Sequence, residues 1–316
     1  MSGRDLFGAL QDDLIQHVLS FLPSREAVKS ATLARRWRHL WRSTPAVRVN
    51  GSGEKFRLFV NSLLLHRDGA SPLHSFEIEA NLLVGGEDFD EFSDYEFDPR
   101  EVDPHVDLWI RHAVWTCRAR SLVARFQDSP VMWWPQNRQS SAFPHRQQPF
   151  ASPHLTTMHL HRVQLHHDHL LDFSPCRALL NLTLSECILD GDALLSPWLE
   201  RLSIIGCGTG IHPSKHGPMG MRIATPRLRH LQLSDDYDED CFSRDMYDYT
   251  DLSSSLESMP LLTSASIQLI GTTTFDDDHA TAERPLLLHG LAEATSLELI
   301  ASTEDGRVCQ ILLLQA

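Results

Sequence analysis

No run of apolar residues in this sequence approaches the roughly 20 that a membrane-spanning helix needs, so membrane partners are not expected. The opening residues, MSGRDLFGALQDDLIQHVL, place Asp12 and Asp13 ahead of the first apolar run and contain no signal-peptide cleavage pattern. The expectation is a protein kept inside the cell, with nucleus and cytoplasm both open. Basic charge is scarce: 28 Lys and Arg stand against 42 Asp and Glu, for a formal net charge of -14. Long-range attraction to nucleic acid is therefore not expected, although a local basic patch stays open. Closely spaced cysteines are missing too. The six, at 117, 176, 187, 207, 241 and 309, form no C-x-x-C pair and read as small buried hydrophobes in a reducing compartment.

Catalytic signatures are also absent. The chain has no H-E-x-x-H, no G-x-S-x-G and no P-loop. The glycine-rich stretch GCGTGIHPSKHGPMG lacks the spacing of a dinucleotide fingerprint. Nothing marks one of the cysteines as an activated thiol. The segment HLHRVQLHHDHLLD gathers His159, His161, His166, His167 and His169 beside Asp168, in number enough to supply two or three zinc ligands. Yet His159 and His161 alternate with Met158 and Leu160, which puts them on the outer side of a strand. No cofactor, no metal and no catalytic residue is expected.

The first fifty residues are set apart by charge: eight Arg or Lys against four Asp or Glu, leaving 20 against 38 for the remainder. Asp12 and Asp13 suit an N-cap or first turn, where they favour the helix dipole. Leu14, Ile15, Val18, Leu19 and Leu22 follow at helical spacing and give one apolar stripe. Pro23 interrupts that helix, and Ser24 can cap a second carrying Ala27, Val28, Ala31 and Leu33 inward. A third short helix would carry Trp37, Leu40 and Trp41, ending before Pro45. Three such helices cannot bury all their apolar surface among themselves. Either they pack on the rest of this chain or they serve a partner.

The segment LIQHVLSFLPSREAVKSATLARRWRHLWRS, with Phe21-Leu22-Pro23 and Arg35-Arg36-Trp37-Arg38-His39-Leu40-Trp41 in register, resembles the F-box of plant F-box proteins with leucine-rich repeats. That resemblance implies binding to a Skp-type adaptor and, through it, a cullin-based ubiquitin ligase. It assigns adaptor binding to Leu10, Leu14, Ile15, Val18, Leu19, Leu22, Pro23, Trp37 and Leu40. Gln11 stands where the family usually has proline, which removes some pre-ordering ahead of the first helix.

The remainder is self-similar. LLNLTLSECIL fits the template L-x-x-L-x-L-x-x-N/C-x-L through Leu179, Leu182, Leu184, Cys187 and Leu189. Further copies run through Leu155, Met158, Leu160, Val163 and Leu165; through Leu199, Leu202, Ile204 and Cys207; and through Leu228, Leu231 and Leu233. Leu73, Phe76, Ile78, Asn81 and Leu83 form an earlier member. Weaker ones begin at Ala119, Leu262 and Ala294. The starts are 46, 36, 24, 20, 29, 34 and 32 residues apart, an irregular series. Each L-x-L puts two side chains on the inner face of a short strand, and stacked units bury one core that none could bury alone. The alternative is a general α/β domain whose strands are rich in leucine.

Residues 85–107 and 235–251 are sharply acidic and read as exposed insertions, with Phe and Tyr that could anchor a basic target. Residues 127–153 resemble a linker or long loop in which Trp133 and Trp134 either cover an end of the array or touch a ligand. FRLFVNSLLLHRDGASPLHSFEIE, WIRHAV and LLLHGLAEATSLELIAS also resemble the plant family, whose members commonly continue into further repeats. The apolar ending VCQILLLQA would be an odd uncovered cap, so the sequence looks like a C-terminally shortened relative. The expected fold is α/β: a three-helix F-box over residues 1–48, then an irregular leucine-rich-repeat solenoid over 49–316. The expected function is that of a non-catalytic substrate receptor linking an unidentified target protein to a ubiquitin ligase. The alternative is a repeat scaffold that binds a partner outside any ligase.

Overall fold

A computed structural model describes residues 10–80, 104–127, 131–132, 151–166, 170–191, 193–210, 221–234, 247–248, 255–256, 259–271, 291, 294–303 and 308–314. The chain divides into two compact units, Met1–Tyr95 with Val102–Gln127, and Glu96–Glu101 with Asp128–Ala316. Trp133 and Trp134, most of both acidic stretches, and the cluster at 167–169 lie outside the described residues.

The first unit opens with helix α1, Asp12–Leu19. Its two acids occupy the first turn, while Gln11 takes the N-cap position in extended conformation. The helix stops at Leu19, three residues before the end of the apolar stripe. Phe21 and Leu22 close tight turns by donating to Val18 O and Leu19 O at 3.2 and 3.1 Å. Helix α2 is Ser24–Lys29, and its N-cap is Pro23, so the expected capping by Ser24 is wrong. Ser24 is already helical and buried, and its hydroxyl accepts the Arg48 N–H at 2.9 Å instead. The third segment, Arg35–Ser43, is wound as a 3₁₀ helix.

Three parallel strands follow: β1 Ala46–Gly51, β2 Ser75–Ala80 and β3 Ser121–Phe126. Val47, Phe76 and Leu122 are in register, as are Val49, Ile78 and Ala124. Parallel neighbours need a crossover. Helix α3, Gly53–Leu65, supplies the first, burying Phe56, Val60, Leu63 and Leu64. Gly53 sits at φ 73°, a left-handed turn that only glycine enters without strain. Helix α4, Pro104–Arg111, supplies the second and continues as a π turn over His112–Thr116. Phe56 and Trp109 join the two helices edge to face, with centroids 5.7 Å apart, and the Trp109 indole donates to Asn61 Oδ1 at 2.6 Å. The acidic stretch therefore ends earlier than its charge suggests. Residues 104–107 are helical, Val106 is fully buried, and Asp107 accepts from Arg111 Nε at 2.8 Å.

The second unit is a stack of coils, four of which give one strand to each of three sheets. After β4 (Val131–Met132), the first complete coil holds β5 (Thr157–His161), β6 (Val163–His166) and β7 (Leu170–Asp172). The next holds β8 (Asn181–Ser185), β9 (Ile188–Asp190) and β10 (Ala193–Leu195). Then come β11 (Arg201–Ile205), β12 (Gly208–Gly210) and β13 (Arg222–Ala224). A fourth coil has β14 (His230–Ser234), β15 (Tyr247–Asp248) and β16 (Ser255–Leu256). Finally, β17 (Ser264–Gly271) and β18 (Ser296–Thr303) extend the main sheet.

Leu182, Leu202 and Leu231 occupy neighbouring parallel strands in direct register, and Ala265 and Leu297 continue the row. The terminal apolar run is β19 (Val308–Leu314), paired antiparallel with β18. The returns between β5 and β11 are the short strands β6, β7, β9 and β10.

β5, β8 and β11 are each followed by a left-handed residue that turns the coil: Arg162 (φ 56°), Glu186 (φ 50°) and Gly206 (φ 57°). Their N–H groups donate to the main-strand end of the following coil, at Ser185 O, Ile205 O and Ser234 O. An ion pair of 2.7 Å also ties Arg162 to Glu186. Cys187 and Cys207 follow the second and third of these corners, and their thiols reach back to Leu160 O and Leu184 O. At the template's polar position, each cysteine fills space and satisfies a carbonyl in the preceding coil.

Candidate functional site

The N-terminal apolar residues separate into two sets. Ile15 and Leu19 lie inside the helices with Ala27 and Leu40, and Leu10, Trp37 and Trp41 pack partly buried against them. Leu14 and Val18, by contrast, are about half exposed at 50 % and 49 %, with Phe21 at 67 %, Leu22 at 39 % and Leu33 at 74 %. Leu14 and Val18 share one face of α1, and Phe21 and Leu22 follow in the turns just past its end. Pro23 is exposed beside them. The expected single stripe is thus two adjacent columns, one turned in and one turned out. Leu33, expected to face inward, is turned out instead, and Phe21 was absent from the residues assigned to adaptor binding. Their signal was their place in turns, where a large apolar side chain has no local core to enter.

Several contacts hold this presentation. Arg36 bridges to Asp12 at 2.6 Å, linking the third segment to the start of α1. The pair is exposed, so it orients more than it stabilises. Arg48, on β1, donates through its side chain to Ser20 O and pairs with Glu77 at 3.0 Å. The Trp41 indole donates to Arg38 O at 3.1 Å. The helices are therefore tied to β1 by polar bonds, and the apolar patch needs no part in that attachment.

The repeat residues have a different environment. Leu73, Phe76, Ile78, Leu155, Met158, Leu160, Leu179, Leu182, Leu184 and Cys187 are buried. So are Leu199, Leu202, Ile204, Cys207, Leu228, Leu231 and Leu233. His159 and His161 are half-buried on the opposite side of their strand, and both rings lie 3.2 Å from Ser185 Oγ. Among the described residues no three His, Cys, Asp or Glu side chains gather as a metal would require. Burial pushes the Cys117, Cys176 and Cys207 thiols up, Cys176 to about 11, away from the thiolate that nucleophilic attack needs. No helix among the described residues is long and apolar enough to cross a membrane.

Residues 8–46 match the F-box domain. The chain is 26% identical over 245 residues to a putative F-box/LRR-repeat protein of Arabidopsis thaliana, covering 73% of this chain and 42% of the relative. A second putative F-box/LRR-repeat protein of that plant is 24% identical over 258 residues, covering 74% and 48%. An F-box/LRR-repeat protein, also from Arabidopsis thaliana, is 36% identical over 87 residues, or 24% of this chain and 23% of the relative. The alignments span less than half the length of each of these relatives.

Proposed function

The chain belongs to the plant F-box/LRR-repeat proteins, and on that premise we propose that it is a substrate receptor of a Skp–cullin–F-box ubiquitin ligase. Residues 1–48 bind a Skp-type adaptor, and residues 49–316 hold a target protein. The receptor supplies proximity: it keeps target lysines near a charged conjugating enzyme, a gain in rate that requires no catalytic group on this chain.

One observation supports this reading above the others. The matched F-box segment leaves Leu14, Val18, Phe21 and Leu22 exposed while its own core is already complete with Ile15, Leu19, Ala27 and Leu40. Full burial of such side chains contributes about 1.5–3 kcal/mol each, so a partner that covers them gains most of its affinity there. Leu14, Val18, Leu22 and Pro23 act by direct contact. Ile15, Leu19, Trp37, Leu40 and Leu10 act by holding that patch in shape.

The test is a titration of purified Skp-type adaptor against the full chain and a Leu14→Ala/Phe21→Ala variant, with circular dichroism confirming the fold. The variant should lose more than tenfold in affinity while remaining folded. Equal binding by both would leave the alternative, a repeat scaffold outside any ligase, as the better account.

A further inference from the structure

The turns that lead into the main strands of the second unit carry arginines, against the acidic balance of the whole chain. Arg177 stands in the turn before β8, Arg201 opens β11, and Arg227 and Arg229 flank Leu228 ahead of β14; all four are exposed. The backbone stacks these turns on one another. Glu200 N–H donates to Leu180 O and Arg229 N–H to Glu200 O, both at 2.9 Å, and Arg201 is the register partner of His230. Trp198 stiffens the strip. Its indole donates to Ser174 O at 3.0 Å, and the Arg227 guanidinium lies 5.3 Å from the centre of its ring. None of the four arginines is paired with a carboxylate among the described residues. Among the described residues the acids of these turns are Glu200, half-buried, and Asp172, whose Oδ1 is occupied by the Ser174 N–H at 2.8 Å.

We propose that this strip receives a short acidic segment of a partner protein, bearing Asp or Glu side chains; the proposal rests on the target-holding role above and narrows it. Neighbouring coils are about 4.8 Å apart, so three of them span about 10 Å, and an extended peptide rising about 3.3 Å per residue crosses them in about four residues. The strip contains arginine and no lysine, and the planar guanidinium fork accepts a carboxylate through two parallel bonds. A long polyanion such as nucleic acid reaches past the strip and meets the field of a chain whose formal charge is -14. A segment of four residues does not.

The test is fluorescence anisotropy on the full chain at low salt, with a labelled peptide carrying Glu at alternate positions. Its counterparts carry Gln or phosphoserine at those positions, and a single-stranded DNA oligonucleotide completes the set. The Glu peptide should bind and the Gln peptide should not. The Arg201→Glu/Arg229→Glu variant should bind the Glu peptide about tenfold or more weakly, since like charges now face each other. An Arg201→Lys/Arg229→Lys variant should fall between the two, because it keeps the charge and loses the fork. Equal binding of the Glu and Gln peptides, or wild-type affinity in the folded Glu variant, would overturn the proposal. So would tighter binding of the DNA or of the phosphoserine peptide, each of which would name a different partner. Adaptor affinity is measured on the same samples. A chain that binds the acidic peptide and no adaptor supports the strip and sinks the ligase reading; the reverse sinks the strip alone.

Discussion

The N-terminal helices and the coils of the second unit dispose of their apolar side chains in opposite ways. The helices expose Leu14, Val18, Phe21, Leu22 and Leu33 within about twenty residues. The coils bury most of their described large apolar groups, leave others such as Leu170, Leu195, Ile205, Leu297 and Leu299 half-buried, and expose Leu180 and Leu261. Segment length explains the difference. An eight-residue helix and a six-residue helix offer too little inner surface to cover an apolar arc of about 140°. A strand alternates, so each L-x-L sends two side chains inward and the next coil covers them. A partner can thus draw on apolar contact at the helices. At the coils it meets hydroxyls, histidines and the arginine strip, where charge and hydrogen bonds set the choice of partner.

Predictions that would break or sharpen this contrast can be ranked by their expected effect on stability. The largest belongs to Ile15→Ala combined with Leu19→Ala. Each deletion from a filled core costs about 2–5 kcal/mol, and the two together should abolish the helical bundle. Adaptor binding would then fall with the fold, as circular dichroism would show. A double variant that stayed folded and still lost adaptor would move both residues into the interface. Next comes Leu184→Ala, a single deletion from the coil core, expected to lower stability by about 2–5 kcal/mol in urea denaturation. A loss well under 1 kcal/mol would mean that the coils are loosely packed.

The third prediction uses pH. Burial raises the Cys176 thiol to about 11, above its unfolded value. Below the unfolded value both states hold the proton, and the full stability is present. As pH rises from about 9 toward 11 the unfolded chain ionises first, so stability falls, by about 1–3 kcal/mol for a shift of this size. Cys176→Ala should flatten that part of the profile, measured as Tm against pH with reductant present. An unchanged slope would assign the loss elsewhere, and Cys117 and Cys207 are shifted in the same direction. The smallest effect on stability is expected from Leu14→Ala with Val18→Ala, within about 0.5 kcal/mol each, because these side chains already face solvent. That pair should nevertheless reduce adaptor affinity more than tenfold. A large stability loss would show that the outer column is structural.

Much of this architecture was legible. The row of Leu182, Leu202 and Leu231 follows from a template that repeats at the scale of one coil, and the structure puts all three in register. The first strand was missed because its motif, Thr44-x-x-Val47-x-Val49, keeps the spacing and contains no leucine. The returns through Leu170–Asp172, Ala193–Leu195 and Arg222–Ala224 were missed because three residues are too few to show an alternation. The cap assigned to Ser24 failed for a different reason: its hydroxyl is claimed by Arg48, a residue 24 positions away.

What the sequence determined by itself is periodic and local. The leucine template specified strands and their inner faces, and the F-box residues identified the N-terminal segment. The tertiary structure decided which of two neighbouring apolar columns on α1 is core, Ile15 with Leu19, and which is surface, Leu14 with Val18. It also brought Arg177, Arg201, Arg227 and Arg229 from three coils onto one edge. Both decisions depend on contacts between residues distant in the chain. A helical period identifies an apolar arc without saying where the neighbouring segment will lie, and charges spaced by 24, 26 and 2 residues become a strip only after coils of unequal length have stacked in register.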